Sequence, residues 1–344
     1  MHQNAASNPE LISLSTSHIH NILDIAIKHT PQHTAVVVFD QRCELAKILA
    51  AAYQHNLPNA HFIDFDAVTP EFILETFEPL RPGDLVVLIQ SSNFRLEAYR
   101  LRVELFKKQL KVIEHPHLAR MTDEQIPYYI DSLTYDPNYY RPVGRALKQR
   151  IDKAQRGVVL SGNGEKLFFD SPFEPAKLNI GDYSDMNNIG GQFPIGEVFT
   201  EAKDLEAVHG RIRVAVFGDT TFTVNKPQQP ITLIVNQGRV TATENSNHEF
   251  DLVLKLIRDE EGEVWLRELG FGMNRAFTSD RLVNDIGTYE RMCGIHLSLG
   301  AKHGQYNKPQ IRRADARYHV DVFVATEAVL LDDEVIYRDG AWVV

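Results

Sequence analysis

The amino-terminal half of the chain alternates short apolar runs with amphipathic segments, and this alternation is the strongest constraint on the fold. Runs typical of buried strands occupy residues 34–40, 60–65, 84–90 and 111–114. Segments with apolar residues at helical spacing occupy residues 42–55, 70–77 and 95–109, and a long region from 122 to about 154. Strands that alternate with helices usually run parallel, because each helix carries the chain back across the sheet. The pattern predicts an α/β, Rossmann-like domain over residues 1–175, with a parallel sheet covered by helices on both faces.

Sheets of this kind often bind nucleotides through a glycine-rich loop, but the sequence lacks a phosphate-loop motif. The nearest glycine cluster is Ser161-Gly162-Asn163-Gly164, which lies between strand-like runs at 157–160 and 167–169. Asn-Gly between two apolar runs is a signal for a hairpin turn. We therefore predict a hairpin here rather than a ligand cradle.

The character of the sequence changes after Pro172. Residues 173–193 are rich in Asn, Asp, Gly and Pro, which is typical of loops and linkers. Beyond them β-type runs dominate, with one helix at about 249–258. The β-type runs cover residues 211–217, 231–235, 239–243, 264–271, 318–325 and 335–344. We expect a second domain over residues 176–344, of the α+β class and rich in antiparallel strands, with the boundary near residue 175.

Composition and charge favour a cytoplasmic protein with neither a nucleic-acid nor a membrane partner. The formal net charge of -10 opposes sequence-independent binding to nucleic acid or anionic lipid. No stretch approaches the roughly 18 apolar residues of a membrane span, and the polar segment Met1–Glu10 lacks the features of a signal peptide. The two cysteines, Cys43 and Cys293, lie in different halves and do not suggest a disulfide framework.

Several ionisable side chains of the second half interrupt runs that otherwise suit burial. They are Glu197, Glu268, His296, His319 and Asp321. Residues two apart on a strand face the same side, so His319 and Asp321 should point together. Buried ionisable groups cost several kcal/mol unless they are paired or coordinated. Carboxylates and imidazoles are ligands for zinc, cobalt or manganese, so these residues are candidates for a metal site.

Each of these residues also has an ordinary structural interpretation. Glu268 follows Arg267 and can form an ion pair with it. His296 can be a core histidine with satisfied hydrogen bonds, and His319 with Asp321 can be a structural pair. These alternatives stay open, because the sequence does not show whether the side chains converge.

Five segments of the second half match a known family in the same order. They are GEVFTEAKD at Gly196–Asp204, RELGFGMN at Arg267–Asn274, HLSLG at His296–Gly300, YHVDVFV at Tyr318–Val324 and DGAWVV at Asp339–Val344. Through these motifs the chain resembles the thermophilic aminopeptidase family, the leucyl aminopeptidase-like group of aminopeptidases T and S. The amino-terminal half agrees with the family only in its alternating pattern. The resemblance implies an amino-terminal α/β domain, a carboxy-terminal domain with a two-metal site, and a homodimer.

Carried over by position, the resemblance makes metal ligands of the five ionisable residues named above, with one carboxylate bridging. The family places a tyrosine seven residues after the histidine of this motif, and this chain has His303 there, with Tyr306 nearby. We predict that His303 is exposed in a loop, with a further metal ligand or a proton donor as the alternatives. The missing tyrosine leaves the role of acid or electrophile unassigned.

The activity implied by the resemblance is metal-dependent removal of amino-terminal residues from small peptides. One or two cations would activate a water molecule and polarise the scissile carbonyl, and Glu197 or Glu268 would be the catalytic proton relay. An alternative is a related ring-cleaving dioxygenase of dihydroxypyridines, which uses iron(II) held by two histidines and a carboxylate. Glu268 stands where that enzyme would need a histidine. A third alternative is an inactive, peptide-binding relative.

Overall fold

The computed structural model describes residues 8–94, 96 and 101–344. The chain forms two compact units, Met1–Asn138 with Gly181–Ile195, and Tyr139–Ile180 with Gly196–Val344. It therefore passes between the units three times, which differs from the single boundary expected near residue 175. The cause is strand pairing: residues before 175 pair within the second unit, and a short strand after 175 joins the sheet of the first.

Nineteen strands occur in the described residues. They are β1 (Ala35–Phe39), β2 (His61–Asp64), β3 (Leu85–Ile89), β4 (Lys111–His115), β5 (Gly157–Leu160), β6 (Lys166–Phe169), β7 (Lys177–Asn179), β8 (Gly190–Gln192), β9 (Glu197–Glu201), β10 (Val208–Gly218), β11 (Val224–Asn225), β12 (Ile231–Asn236), β13 (Arg239–Glu244), β14 (Leu266–Gly272), β15 (Gly294–Leu299), β16 (Val320–Val324), β17 (Ala328–Leu331), β18 (Glu334–Arg338) and β19 (Ala341–Trp342).

Eight α-helices occur in the same residues, and a π-helical turn, Ile22–Ala26, follows the first. The helices are α1 (Asn8–Asn21), α2 (Glu44–Asn56), α3 (Pro70–Phe77), α4 (Leu101–Lys107), α5 (Ile126–Ser132), α6 (Pro137–Lys153), α7 (His248–Glu261) and α8 (Ile286–Tyr289). Within the described part of the chain, none of them is both long enough and apolar enough to cross a bilayer.

The first unit is built on a five-stranded parallel sheet in the order β2-β1-β3-β4-β8. All five residues of β3 are buried, and so are Val36, Val37 and Val38 of β1. Complete burial of an aliphatic side chain contributes roughly 1.5–3 kcal/mol, so these strands form the core of the unit. The parallel sheet predicted from the alternating pattern is confirmed.

The second unit contains a fourteen-stranded sheet. Eleven of its strands follow the order β19-β18-β17-β5-β6-β10-β16-β15-β14-β9-β7, while β11 and β12 also pair with β10, and β13 pairs with β12. The described strand pairs of this sheet are antiparallel, as in the β10 and β16 pair. The predicted dominance of antiparallel strands in this part of the chain is therefore confirmed.

The helix predicted at 95–109 falls partly outside the described residues, and the described part of this range contains α4, in agreement with the prediction. Residues 1–7 of the polar amino-terminal segment also lie outside the described residues. The region predicted as helical from 122 to 154 contains two α-helices, α5 and α6. Pro137 explains the break between them, because proline disfavours helical backbone at the residue before it and suits the first turn of a new helix.

The predicted hairpin at residues 157–169 is present, since strands β5 and β6 pair antiparallel. In the β-type run at 335–344, β18 likewise pairs antiparallel with β19. In the turn between β5 and β6, Asn163 and Gly164 have φ values of 55° and 76°. These left-handed values are the ones that Asn-Gly adopts readily in tight hairpins, which is why the dipeptide predicted the turn.

A buried histidine lies between two tyrosines in the first unit. Tyr53 Oη is 2.8 Å from His115 Nε2, and Tyr129 Oη is 2.9 Å from His115 Nδ1. Tyr129 donates its own proton to the carbonyl oxygen of Phe193, so its oxygen accepts from Nδ1–H of the imidazole. Nε2 then accepts from Tyr53, and His115 is neutral. Burial lowers the pKa of His115 to about 3.

We predict that His115 stays neutral between about pH 8 and about pH 5, the range in which an ordinary imidazole takes up a proton. Because this pKa is lower in the folded than in the unfolded chain, His115 makes the free energy of unfolding fall as the pH drops from 6.5 toward about 3. NMR titration of the histidine signal that is missing in His115→Gln measures this directly. A midpoint near pH 6.5 for that signal would contradict the prediction.

Candidate metal centre

Four neighbouring strands of the antiparallel sheet supply the candidate ligands. Glu197 begins β9, Glu268 lies within β14, His296 within β15 and Asp321 within β16. The four strands are consecutive in the sheet, in the order β16-β15-β14-β9. Strand order therefore brings together residues that are far apart in the sequence.

Glu197, Glu268 and His296 form the first ligand group. His296 Nε2 lies 3.2 Å from Glu197 Oε1 and 3.3 Å from Glu268 Oε1. One potential ligand atom from each residue lies within 4.8 Å of the others. All three residues are buried, so water does not screen their charges.

Glu268, His319 and Asp321 form the second ligand group, with the same 4.8 Å limit between ligand atoms. His319 immediately precedes β16, and its Nε2 lies 3.1 Å from Asp321 Oδ1. The two side chains point together, as their spacing predicts. His319 Nδ1 lies 3.1 Å from the carbonyl oxygen of Lys302. A carbonyl only accepts, so Nδ1 carries a proton. Nε2 is the nitrogen that faces the site and would bind a cation once its own proton leaves.

The charges of the site are balanced by protons on its imidazoles. Burial alone would lower the pKa of His296, but the carboxylates of Glu197 and Glu268 raise it to about 10. Burial would likewise lower the pKa of His319, and Asp321 with Glu268 raises it to about 9. Burial would raise the pKa of Glu268, and the imidazoles around it, that of His296 foremost, hold it below its usual range. A site that stabilises bound protons this strongly also favours a divalent cation in their place.

Unpaired polar atoms support the same conclusion. No described residue donates a hydrogen bond to Asp321 Oδ1 or satisfies His296 Nδ1, although both atoms are buried. An unsatisfied buried polar atom costs about 1–3 kcal/mol, so a carboxylate oxygen of this kind fits a cation ligand. The donor set of carboxylate oxygen and imidazole nitrogen suits zinc, cobalt or manganese.

His303 was predicted to be exposed, and this is wrong: its side chain is 2% exposed, and Nε2 lies 2.8 Å from Glu268 Oε2. The local sequence, Lys-His-Gly-Gln, has the polarity of a surface loop, but the segment folds back onto the ligand groups. Tyr306 is also buried, and its hydroxyl donates to the carbonyl oxygen of Pro175 at 2.8 Å.

Arg267 does not pair with Glu268, which was one interpretation of their adjacency. It binds Glu201 instead, with Nε 2.9 Å from Oε2. Lys308 Nζ lies 3.2 Å from the other oxygen of Glu201, so that buried carboxylate has two permanent counter-ions. The sequence pattern had not singled out Glu201 or Lys308, because charged residues are common and their partners are distant in the chain.

Two further residues near the ligands were also missed. Arg291 is buried, and its Nη1 lies 3.5 Å from Glu197 Oε2. Ser298 Oγ accepts a hydrogen bond from the backbone nitrogen of Glu268 at 3.0 Å. The serine of the HLSLG segment thus fixes the backbone of the strand that carries Glu268.

Neither a protein-family model nor a curated protein sequence matches the chain significantly. Solved structures do match. The chain is similar to a 2,5-dihydroxypyridine dioxygenase from Pseudomonas putida KT2440, with a TM-score of 0.64, 15% identity and coverage of 98% of both chains. It is also similar to AmpT, aminopeptidase T, from Thermus thermophilus, with a TM-score of 0.54, 13% identity and coverage of 98% of this chain and 100% of that one. At these identities the likeness shows a shared fold, and the two proteins that share it are enzymes of different reaction types.

Gly270 makes room for the imidazole of His296, which it faces across the β14 and β15 pair. A Cβ atom at Gly270 would lie 2.0 Å from Cε1 and Nε2 of His296. That approach is far shorter than a van der Waals contact, so a side chain here would displace the ring.

We predict that Gly270→Ala weakens binding of Co²⁺ and lowers the free energy of unfolding by about 1–3 kcal/mol, a typical effect of overpacking. Calorimetric titration with Co²⁺ and urea unfolding measure the two effects. Gly304→Ala is the matched control, because its added methyl group would meet nothing within 4 Å. Unchanged Co²⁺ affinity in Gly270→Ala would show that His296 does not bind the cation.

Proposed function

We propose that this protein is a metal-dependent aminopeptidase with two divalent cations on one shared carboxylate. The observation that carries the proposal is that Glu268 belongs to both ligand groups. A carboxylate shared in this way can bridge two cations. Paired cations suit hydrolysis, because they stabilise both the attacking and the departing atoms of the reaction.

The candidate ligands fall into two sets, one for each cation. Glu197 and His296 would hold one cation, His319 and Asp321 the other, and Glu268 would contact both. His319 is oriented for this role, because its Nδ1–H donates a hydrogen bond to the carbonyl oxygen of Lys302. Nε2 is therefore the nitrogen available to bind a cation. We extend the proposal to zinc, cobalt or manganese as the metal and to small peptides as the substrate. A homodimer is part of the same proposal and rests on the sequence resemblance alone, and a cytoplasmic location rests on the charge and cysteine usage of the sequence.

The reaction is addition of water to the first peptide bond, giving a free amino acid and a shortened peptide. Bound cations would lower the pKa of water and polarise the carbonyl group. Glu197 would bind a cation through one oxygen and accept, on its other oxygen, the proton released as the water oxygen forms its bond to the carbonyl carbon; Glu268, shared by both cations, has no free oxygen for this role. The same carboxylic acid returns that proton to the amine nitrogen as the carbon–nitrogen bond breaks. Burial of both residues keeps bulk water from competing for the proton.

A mononuclear iron(II) dioxygenase is the second candidate. Its supporting observation is that His303 and His319 lie close together, with ring centroids 5.9 Å apart. With Asp321 beside His319, the chain offers two imidazoles and a carboxylate, the ligand set of many non-haem iron oxygenases. The fold shared with a dihydroxypyridine dioxygenase is compatible with this candidate.

The number of metal ions bound per chain tests whether Glu268 is shared by two cations. If Glu268 is shared, Glu268→Ala should lose both cations, whereas His319→Ala should retain at most one. Elemental analysis of proteins reloaded with Zn²⁺ measures the stoichiometry. His209→Ala is the control, since this histidine lies in the same unit, is half-exposed and pairs with Asp170 instead. Wild-type stoichiometry in Glu268→Ala would contradict the shared site.

Activity assays then separate the two candidates. The zinc-, cobalt- or manganese-loaded protein should release the amino-terminal residue from a panel of aminoacyl p-nitroanilides and short peptides, and His319→Ala should not. Oxygen uptake with 2,5-dihydroxypyridine after anaerobic loading with iron(II), without peptidase activity, would place the dioxygenase first. A wild-type protein that binds no metal would reject both candidates.

A further inference from the structure

His303 lies on a segment that is held firmly against the sheet. Arg267 donates from Nη1 to the carbonyl oxygen of Ala301, and from Nη2 to that of Tyr306 at 3.1 Å. Lys308 donates to the carbonyl oxygen of Ala202 at 2.6 Å and to Glu174 at 2.7 Å. The segment is therefore anchored on both sides of His303, and its imidazole has a fixed place beside Glu268.

The backbone determines which nitrogen of His303 carries the proton. The N–H group of Gln305 donates to His303 Nδ1 at 3.1 Å. A backbone N–H group only donates, so Nδ1 is the acceptor and is unprotonated. The imidazole is thus neutral, and its proton is on Nε2, the atom that faces the ligand groups.

His319 has the opposite arrangement. Its Nδ1–H donates a hydrogen bond to the carbonyl oxygen of Lys302, so Nε2 is the nitrogen that would lose its proton and bind a cation. A metal-binding imidazole donates its second ring N–H to an acceptor in this way and binds through the other nitrogen. His303 has the reverse arrangement, since its Nδ1 already accepts a hydrogen bond and its Nε2, which carries the proton, has no lone pair to give.

The Nε2–H group of His303 also lacks an aligned acceptor. It lies 2.8 Å from Glu268 Oε2, yet none of the described residues accepts its hydrogen bond with good geometry. A buried donor without a partner costs about 1–3 kcal/mol, and such groups are common where a ligand supplies the missing acceptor.

We propose that His303 is a hydrogen-bond donor to the substrate at the metal centre, and not a metal ligand. This inference rests on the proposed hydrolysis. When water adds to the peptide carbonyl, the electron pair of the carbon–oxygen double bond moves to the carbonyl oxygen, which becomes an oxyanion. The neutral Nε2–H of His303 donates a hydrogen bond to that oxygen without transferring its proton. A preorganised donor of this kind stabilises the transition state more than the ground state.

The first test does not depend on activity. In protein labelled with ¹⁵N-histidine, NMR should show the Nε2–H tautomer for His303 both without metal and with Zn²⁺. With Zn²⁺ bound, His319 should keep the proton on Nδ1 and lose the one on Nε2. His303→Gln and His303→Ala should bind as much Zn²⁺ as the wild type. Loss of a zinc equivalent in these variants, or loss of the Nε2 proton of His303 on zinc loading, would overturn the proposal and favour His303 as a ligand.

The second test is kinetic and uses the aminoacyl p-nitroanilide that the wild type cleaves best. His303→Ala should lower kcat about 10²–10³-fold, the usual effect of removing an oxyanion donor, with KM changed far less. His303→Gln keeps an N–H donor at the end of the side chain and should recover at least part of the lost kcat. Wild-type kcat in His303→Ala, or equal losses in both variants, would overturn the proposal. A wild-type protein that binds zinc but cleaves no peptide would reject the aminopeptidase function, and with it the substrate role of His303. The tautomer measured by NMR would still decide whether His303 is a metal ligand.

Discussion

The structure of the second unit depends on the neutralisation of carboxylates buried on neighbouring strands. An uncompensated charge in a protein interior is very unfavourable, so each carboxylate needs a cationic or hydrogen-bonding partner. Glu201 is paired with the guanidinium group of Arg267 and the ammonium group of Lys308. Glu268 instead faces the imidazole of His296, whose proton a metal ion can replace. The ion pairs of Glu201 therefore form a structural charge network, whereas the group around Glu268 is a site where a metal ion can replace protons.

The two networks are connected through Arg267. Its guanidinium group neutralises Glu201 and also binds the backbone of the segment that carries His303. The residue next to Arg267 in β14 is Glu268, so one strand supplies both the anchor for this segment and the carboxylate that His303 faces. Gly270, two residues further on, leaves the space that the ring of His296 occupies. A short stretch of one strand thus positions Glu268, the ring of His296 and the segment that carries His303.

Much of the fold was predictable, because its strongest signals are local. Strands such as β1 and β3 are apolar throughout, and the hairpin of β5 and β6 has a turn dipeptide that dictates its own backbone. The division into units was not predictable in the same way. Strand β8 consists of Gly-Gly-Gln and joins the parallel sheet through backbone hydrogen bonds. It has no apolar side chain to signal that it is a strand.

For the site, the sequence by itself determined which ionisable side chains interrupt apolar strands, and so it identified Glu197, Glu268, His296, His319 and Asp321 as candidates. Local spacing also predicted that His319 and Asp321 point together. Only the tertiary structure decided that Glu268 lies in both ligand groups, that Arg267 belongs to Glu201, and that His303 is buried with its proton on Nε2. The reason is physical: these properties arise from contacts between strands and loops far apart in the chain, and no local pattern encodes which distant group will be the partner.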